Sequence, residues 1–336
     1  MRYVLEARRG VIFSMAAALW IWPVVSWAQT AATGSGQVFP SKYVRYIVPF
    51  GAGASPDIVG RLLADRLSRM WGQQVIIENR VGAAGVLGTA FVAKSPPDGY
   101  TLVQCNIASS AIAVSLFANM PYDQLRDLAP VTRIGMTPNI LAAHPSVPIR
   151  SIKDLIAYAK AYPGKLSYSA GLIGTSPQLS MELLQLMAKI EVVHIPYKIG
   201  AQAITDTIGG QVPLNISNFP AMVSPIQSGR LRALAVTSAN RASQLPSIPT
   251  IQEEGFPGYD VQSWYGVCAP AGTPTAVLDK LHADINMALR MPDVQQRLNE
   301  LVMGGAPTSR EEFEQFIRAE IARWAQVIKD AGIPQQ

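Results

Sequence analysis

VRYIVPFGAGASPDIVGRLLADRLSRMWG, residues 44–72, runs from β-branched and aromatic residues through a glycine-rich turn into apolar residues at helical spacing. Ile58, Val59, Leu62, Leu63, Leu67 and Met70 recur every three to four positions, which predicts a helix, and Gly72 reads as its C-cap. A strand feeding a helix through GAGASPD (51–57) is the opening of a βαβ unit. The same kind of entrance returns at GLIGTSPQ (171–178), between the strand-like KLSYSAG and the helix-like LSMELLQLMAKI. In both, the serine fits an N-cap, and the proline fits the first helical position, where its missing N–H is no loss. A helix start also exposes unpaired N–H groups and partial positive charge, and Gly53 and Gly174 would let an anion approach the backbone. Asp57, in the first helical turn, either serves the helix dipole or fixes the loop and receives a donor group of a ligand.

Working outward, QVIIEN (74–79) and GYTLVQC (99–105) read as strands around a helix in NRVGAAGVLGTAFVAKS (79–95). A second series follows residue 130. VTRIGMTPNILAAHP (131–145) is extended, SIKDLIAYAKAYP (151–163) is a Ser-capped helix, and VVHIPY, VPLNIS and RLRALAV read as strands separated by helices. FPGYDVQSWYGVCAP (256–270) is extended again, and helical patterns close the chain at 273–290 and 309–330. Such alternation predicts an α/β fold with a mostly parallel sheet covered on both faces. There is no tandem repeat. The order predicts two lobes: 41–130 begins the first, 131–255 forms the second with a hinge strand, and 256–336 returns to complete the first.

At 336 residues the chain suits about two domains, and 49% hydrophobic with 15% charged residues describes a compact protein rather than a disordered one. The net charge of +5 is not gathered into any Lys/Arg run, which argues against nucleic-acid binding. Arg8 and Arg9 precede the apolar VIFSMAAALWIWPVVSWA (11–28), with small residues at Ser26 and Ala28. This order predicts a cleavable signal peptide at 1–28, followed by a polar linker at 29–40 and export to the periplasm. A retained membrane anchor is the competing reading, disfavoured by Pro23 and the S-W-A exit. Cys105 and Cys268 each end an apparent strand and read as two buried free thiols, with a bridge as the alternative. No CxxC occurs, and His144, His194 and His282 are isolated, so neither a metal nor a cofactor is expected. GxSxG and GxxxxGK[ST] are absent, and Gly82, Gly85 and Gly88 are spaced GxxGxxG rather than as a dinucleotide loop. No enzyme is expected.

The order VPFGAGASPD, VIIENRVGAAG, PPDGYTLV, HPSVP, PGKLSYSAG, GTS, HIPYK, GGQV, GRLRALAVTS and APAGTP resembles the tripartite tricarboxylate transporter substrate-binding proteins, the Bug-type periplasmic receptors. The similarity spans essentially the whole mature chain, from residue 29 on. It implies a two-lobed type II periplasmic-binding (Venus flytrap) fold with a ligand cleft between lobes. It further implies that a small organic carboxylate is bound and delivered to membrane permease subunits by a soluble, monomeric protein. A ligand-dependent partner of a membrane sensor is the alternative. The ligand-binding residues carried over are Phe50, Gly53, Ala54, Ser55 and Asp57 in the first lobe. Gly171, Thr175, Ser176, Tyr197 and Asn218 are those of the second. The chain departs from the family pattern at Ala54, where a glycine is usual, and at Gln178, where histidine is frequent. It departs again at Ile199-Gly200 in place of Gly-Ser, and at Ser217-Asn218 in place of Asp-Asn. The lost aspartate disfavours an amino-acid ligand, and Ile199 favours a carboxylate with an apolar or aromatic body over citrate.

Overall fold

The computed structural model of the protein describes residues 39–304 and 307–336. The signal peptide expected at 1–28 and all but the end of the linker lie outside the described residues.

The first series is β1 (Val44–Val48), α1 (Ser55–Trp71), β2 (Val75–Asn79), α2 (Val86–Ala93), β3 (Thr101–Asn106), α3 (Ala113–Leu116) and the long β4 (Leu128–Ala143). The second is α4 (Ile152–Ala161), β5 (Ser167–Ala170), α5 (Ser176–Ala188), β6 (Val193–Pro196), α6 (Gly200–Ile208), β7 (Leu214–Asn218), α7 (Phe219–Gln227) and β8 (Arg232–Val236). The chain then returns through β9 (Gln262–Pro270) to α8 (Thr275–Leu289), α9 (Pro292–Glu300) and α10 (Arg310–Asp330).

Two sheets form, one per lobe, and they share β4. The first has the order β2-β1-β3-β9-β4 and the second β6-β5-β7-β4-β8. These are the same arrangement: first strand second in line, third strand beside it, then one antiparallel strand, then a fourth parallel one. In the first lobe β9 is the antiparallel strand, and in the second it is β4 itself. β4 changes sheets between Pro138, which pairs with Gln262 of β9, and Asn139, which pairs with Asn218 of β7. The repetition is one of topology without a repeat in sequence, because strand order is set by which faces must be buried rather than by particular residues. It makes α1 and α5 equivalent: each follows the first strand of its lobe.

Burial explains the layers. Val59, Leu63 and Leu67 of α1 pack with Val44 and Tyr46 of β1, while Ile47 faces the opposite side, so β1 is covered on both faces. That is why its sequence is almost continuously apolar. Helices α8 and α9 share α1's side through Leu281, Ile285 and Leu298. On the other side, α10 packs through Phe313, Ile317 and Trp324 into a core continuous with Leu155, Leu179 and Leu184 of the second lobe. Glu320 of α10 accepts from Trp264 Nε1 of β9 at 3.0 Å and from Trp324 Nε1 at 3.2 Å, which ties the C-terminal helix to the returning strand.

One expectation is overturned here. Cys105 and Cys268 are not two free thiols but a disulfide between β3 and β9, with Cα atoms 5.9 Å apart. Val103 pairs with Cys268, and Cys105 with Gly266, so the two cysteines are diagonal neighbours on one face of an antiparallel pair. That placement is within disulfide reach. Their separation of 163 residues hides it from any local pattern.

Candidate functional site

Both Ser-Pro entrances are built the same way, though not as expected. The N-caps are Ala54 and Thr175, neither of which makes a side-chain capping bond, and Ser55 and Ser176 are the first helical residues. Capping is done from further inside. Asp57 Oδ2 accepts from Gly53 N–H at 2.9 Å, and Gln178 Oε1 accepts from Gly174 N–H at 3.1 Å. Each glycine is left-handed, at φ +79° and +86°, a conformation that glycine adopts without steric cost and that turns its N–H back toward the helix. With the third helical side chain folded back in this way, the serine is not needed as a cap and moves one position inward. Backbone N–H groups of Ser55, Asp57, Ser176 and Gln178 have no partner among the described hydrogen bonds. Both helix starts therefore present free donors and partial positive charge.

The first entrance is braced. Asp57 is almost wholly buried and receives Arg61 Nε at 2.9 Å and Asn79 Nδ2 at 2.8 Å. Asn79 Nδ2 also reaches the Phe50 carbonyl at 2.9 Å. Burial pushes the Asp57 carboxyl up, but the Arg61 guanidinium, the Gly53 N–H and the Asn79 amide outweigh it and hold it below the usual carboxylate range. Asp57 is thus a fixed anion that shapes the turn.

The second entrance is braced by His194, whose ring stacks on Tyr168 at 5.0 Å and whose Nε2 bonds the Gly171 carbonyl at 3.1 Å. A carbonyl only accepts, so Nε2 carries the hydrogen. Burial lowers the His194 pKa, and the Gly171 bond opposes it only in part. The unfolded chain therefore takes up this proton first. Its contribution to stability is complete above the ordinary value of 6.5 and declines as pH falls below it. Urea unfolding midpoints measured from pH 7.5 down to 5.5 should fall more steeply for the wild type than for His194→Gln; equal slopes would acquit His194.

Ser176 Oγ lies 2.5 Å from Ser263 Oγ of β9, and Asn218 Nδ2 donates to the same Ser263 oxygen at 2.6 Å. Ser176, Ser263 and Asn218 therefore meet where the lobes join. Tyr197 is placed differently: its hydroxyl is committed to Asp206 Oδ2 of α6 at 2.7 Å, and its N–H to the Ala170 carbonyl at 3.0 Å. Burden of contact between the two entrances falls on the 81–85 turn. A β-carbon placed on Gly51 would sit 4.0 Å from Val81 Cγ1, and one on Gly174 would sit 3.6 Å from Ala84 Cβ. Gly82, Ala83, Ala84 and Gly85 all have positive φ, an unusual run for which the two alanines pay in steric strain.

The sequence reading missed Asn79, Ser263 and Asn139, and gave this turn no place at the site. Asn79 carried a usable signal, as a polar residue at the carboxyl end of a parallel strand, where ligand-binding groups gather. NRVGAAG reads from sequence as a glycine-rich turn opening a helix and as part of the family resemblance, but nothing in it marks the run of positive φ angles. Nothing local distinguishes Ser263 or Asn139.

Two lobes that share a strand, each with a free helix start after its first strand, define a two-lobed protein of the binding-protein type. Comparison with known proteins gives the family. Residues 59–333 match the model of the tripartite tricarboxylate transporter family receptor, and the chain belongs to that family. It is 37% identical over 311 residues to protein BugT of Bordetella pertussis, covering 92% of this chain and 95% of that protein. Among solved structures it is similar to R. palustris Rpa4515 with adipate, at TM-score 0.84 and 37% identity over 88% of this chain and 99% of that one. It is also similar to MatC from Rhodopseudomonas palustris with bound malate, at TM-score 0.79 and 29% identity over 86% of this chain and 100% of that one. No helix among the described residues is long and apolar enough to cross a membrane.

Proposed function

We propose that this protein is a periplasmic receptor that closes its two lobes on a small organic carboxylate and delivers it to the permease subunits of a tripartite transporter. The observation that carries the proposal is the matched pair of helix starts, one per lobe, each with unpaired N–H groups and a left-handed glycine. One carboxylate group, or one at each end of a diacid, satisfies such donors without any buried cation. The ligand-binding residues in this reading are Phe50, Gly53, Ala54, Ser55 and Asp57 from the first lobe and Gly171, Thr175, Ser176, Tyr197 and Asn218 from the second. Adipate and malate, held by the two relatives of solved structure, are small dicarboxylates and support this substrate class.

An apolar ligand body is favoured by what flanks the entrances. Val81 is 62% exposed, Ile173 38% and Ile199 67%, in segments adjoining Gly51, Gly174 and Tyr197. The family is one of substrate-binding receptors, and the protein is read here as a receptor rather than an enzyme. The chain reaches the periplasm through its first 28 residues, which are removed after Ala28.

One experiment addresses these points together. Protein recovered from the periplasm should have the intact mass of a chain beginning at Gln29. A thermal-shift panel of aliphatic, aromatic and hydroxylated mono- and dicarboxylates should then raise its melting temperature. A ligand at about 100 times its dissociation constant adds roughly 2.7 kcal/mol. Turnover of the stabilising carboxylate would replace the receptor with an enzyme, and a panel without any shift would remove carboxylates as the substrate class.

A further inference from the structure

A closed circuit of polar side chains begins and ends on Ser176, and its amide orientations follow from a single fixed point. The Ser176 backbone carbonyl can only accept, so Ser180 Oγ, 2.8 Å away, donates to it. Ser180 has one hydroxyl hydrogen, so toward Asn139, at 2.9 Å, it must accept, and the atom of Asn139 facing it is the amide nitrogen. Asn139 Oδ1 is then the acceptor for Asn218 Nδ2 at 2.8 Å. The Asn218 amide spends its other hydrogen on Ser263 Oγ at 2.6 Å. Ser263 thus accepts from Asn218 and lies 2.5 Å from Ser176 Oγ, a contact in which either oxygen can donate. Every amide orientation in the circuit is determined rather than chosen.

With Ser263 as the donor to Ser176, the hydrogen on Ser176 Oγ is the one donor in the circuit with no acceptor inside it. We propose that Ser263 and Asn139 are positioning residues: they saturate one side of the Ser176 hydroxyl so that its hydrogen points out of the circuit as a donor to the ligand carboxylate. This inference rests on the reading of Ser176 as a ligand residue. Ser180 and Asn139 are fully buried and Ser263 is 2% exposed, so water is kept from that part of the circuit, while Asn218 is half-buried. Donors in such a chain polarise one another, which strengthens the final one. The circuit also spans the molecule's two parts. Ser263 lies on β9 of the first sheet, Ser176 and Ser180 on α5 of the second lobe, and Asn139 at the residue where β4 changes sheets. The hydroxyl is therefore aimed only while the lobes keep this relation.

Calorimetric titration with adipate, on protein recovered from the periplasm, tests the proposal. Ser176→Ala and Ser263→Ala should each weaken binding roughly tenfold to a hundredfold, the range for a hydrogen bond to a charged group. The double variant should bind no worse than Ser176→Ala alone, because Ser263 acts only through Ser176. Ser263→Thr, which keeps the hydroxyl, should restore most of the affinity, and melting temperatures show whether each variant folds. If Ser176→Ala weakens binding but Ser263→Ala does not, or if the two losses add, the circuit does no positioning while the ligand site stands. If Ser176→Ala binds like wild type, the site itself is misplaced and the positioning role goes with it. A second measurement needs no ligand. In nitrogen-15-labelled protein, Ser263→Ala should release one of the two bonded Asn218 side-chain hydrogens and move its resonance. Resonances indifferent to the substitution would overturn the circuit even if adipate does not bind.

Discussion

Ser55→Asp is expected to fold normally and to bind its carboxylate ligand at least tenfold more weakly than wild type. Ser55 is the first residue of α1, with partial positive charge from the helix behind it, and an aspartate in the first turn suits that charge. Folding should be kept or slightly improved. A ligand carboxylate using the free N–H groups of Ser55 and Asp57 would instead meet a second anion at the same donors. Two like charges ~4 Å apart repel by about 4 kcal/mol at an effective dielectric near 20. Half of that value is already more than tenfold in affinity. Ser55→Ala, which leaves every N–H in place, is the control and should lose far less. Calorimetry on both, with melting temperature as the check on folding, decides the matter. A stable Ser55→Asp that binds like wild type would show that α1 merely starts a helix.

Removal of the Cys105–Cys268 bridge should produce the other large effect, this time on stability. The bond closes a loop with a sequence separation of 163 residues, and removing a native disulfide typically costs about 2–5 kcal/mol. At this chain length that corresponds to a fall in melting temperature of roughly 4–10 °C. Paired Cys105→Ala and Cys268→Ala substitutions, or a thiol reductant acting on the unfolded wild type, should show it. Both cysteines are fully buried, so the folded protein should resist the reductant. Alkylation under denaturing, non-reducing conditions should add no label; two labelled thiols in freshly isolated protein would overturn the bridge.

Much of this fold is legible in the sequence because its signals are local. β1, α1, β2, β3 and the later strands and helices fall where β-branched runs and helical periodicity place them, and Gly72 closes α1 in the left-handed conformation expected of a C-cap. What was not legible depends on distant partners. The caps were misplaced by one residue because Asp57 and Gln178 fold back onto glycine N–H groups, making a serine cap unnecessary. α9, with mostly polar residues around Val294 and Leu298, gave too weak a periodicity to be noticed. The exchange of sheets at Pro138 and Asn139 leaves no mark on a stretch that is extended on both sides of it. Of the site, the two glycine turns could be read directly. Ser263 and Asn139 could not, since a serine or asparagine in a strand becomes informative only when its buried partners are known.

The position of β9 also governs the order in which the molecule can be assembled. β9 fills the slot between β3 and β4, yet it is the last strand of the chain to appear. In a chain that emerges N-terminus first, every strand of the second sheet is present once residue 236 has appeared. The first sheet must wait for residues 262–270, and meanwhile β3 and its half of β4 offer two unpaired edges to any passing strand. The second lobe, though later in sequence, is therefore the first that can finish folding. The opening stretch, with its glycine turn and α1, stays unfinished until the tail arrives, and the disulfide to Cys268 can form only after that late arrival.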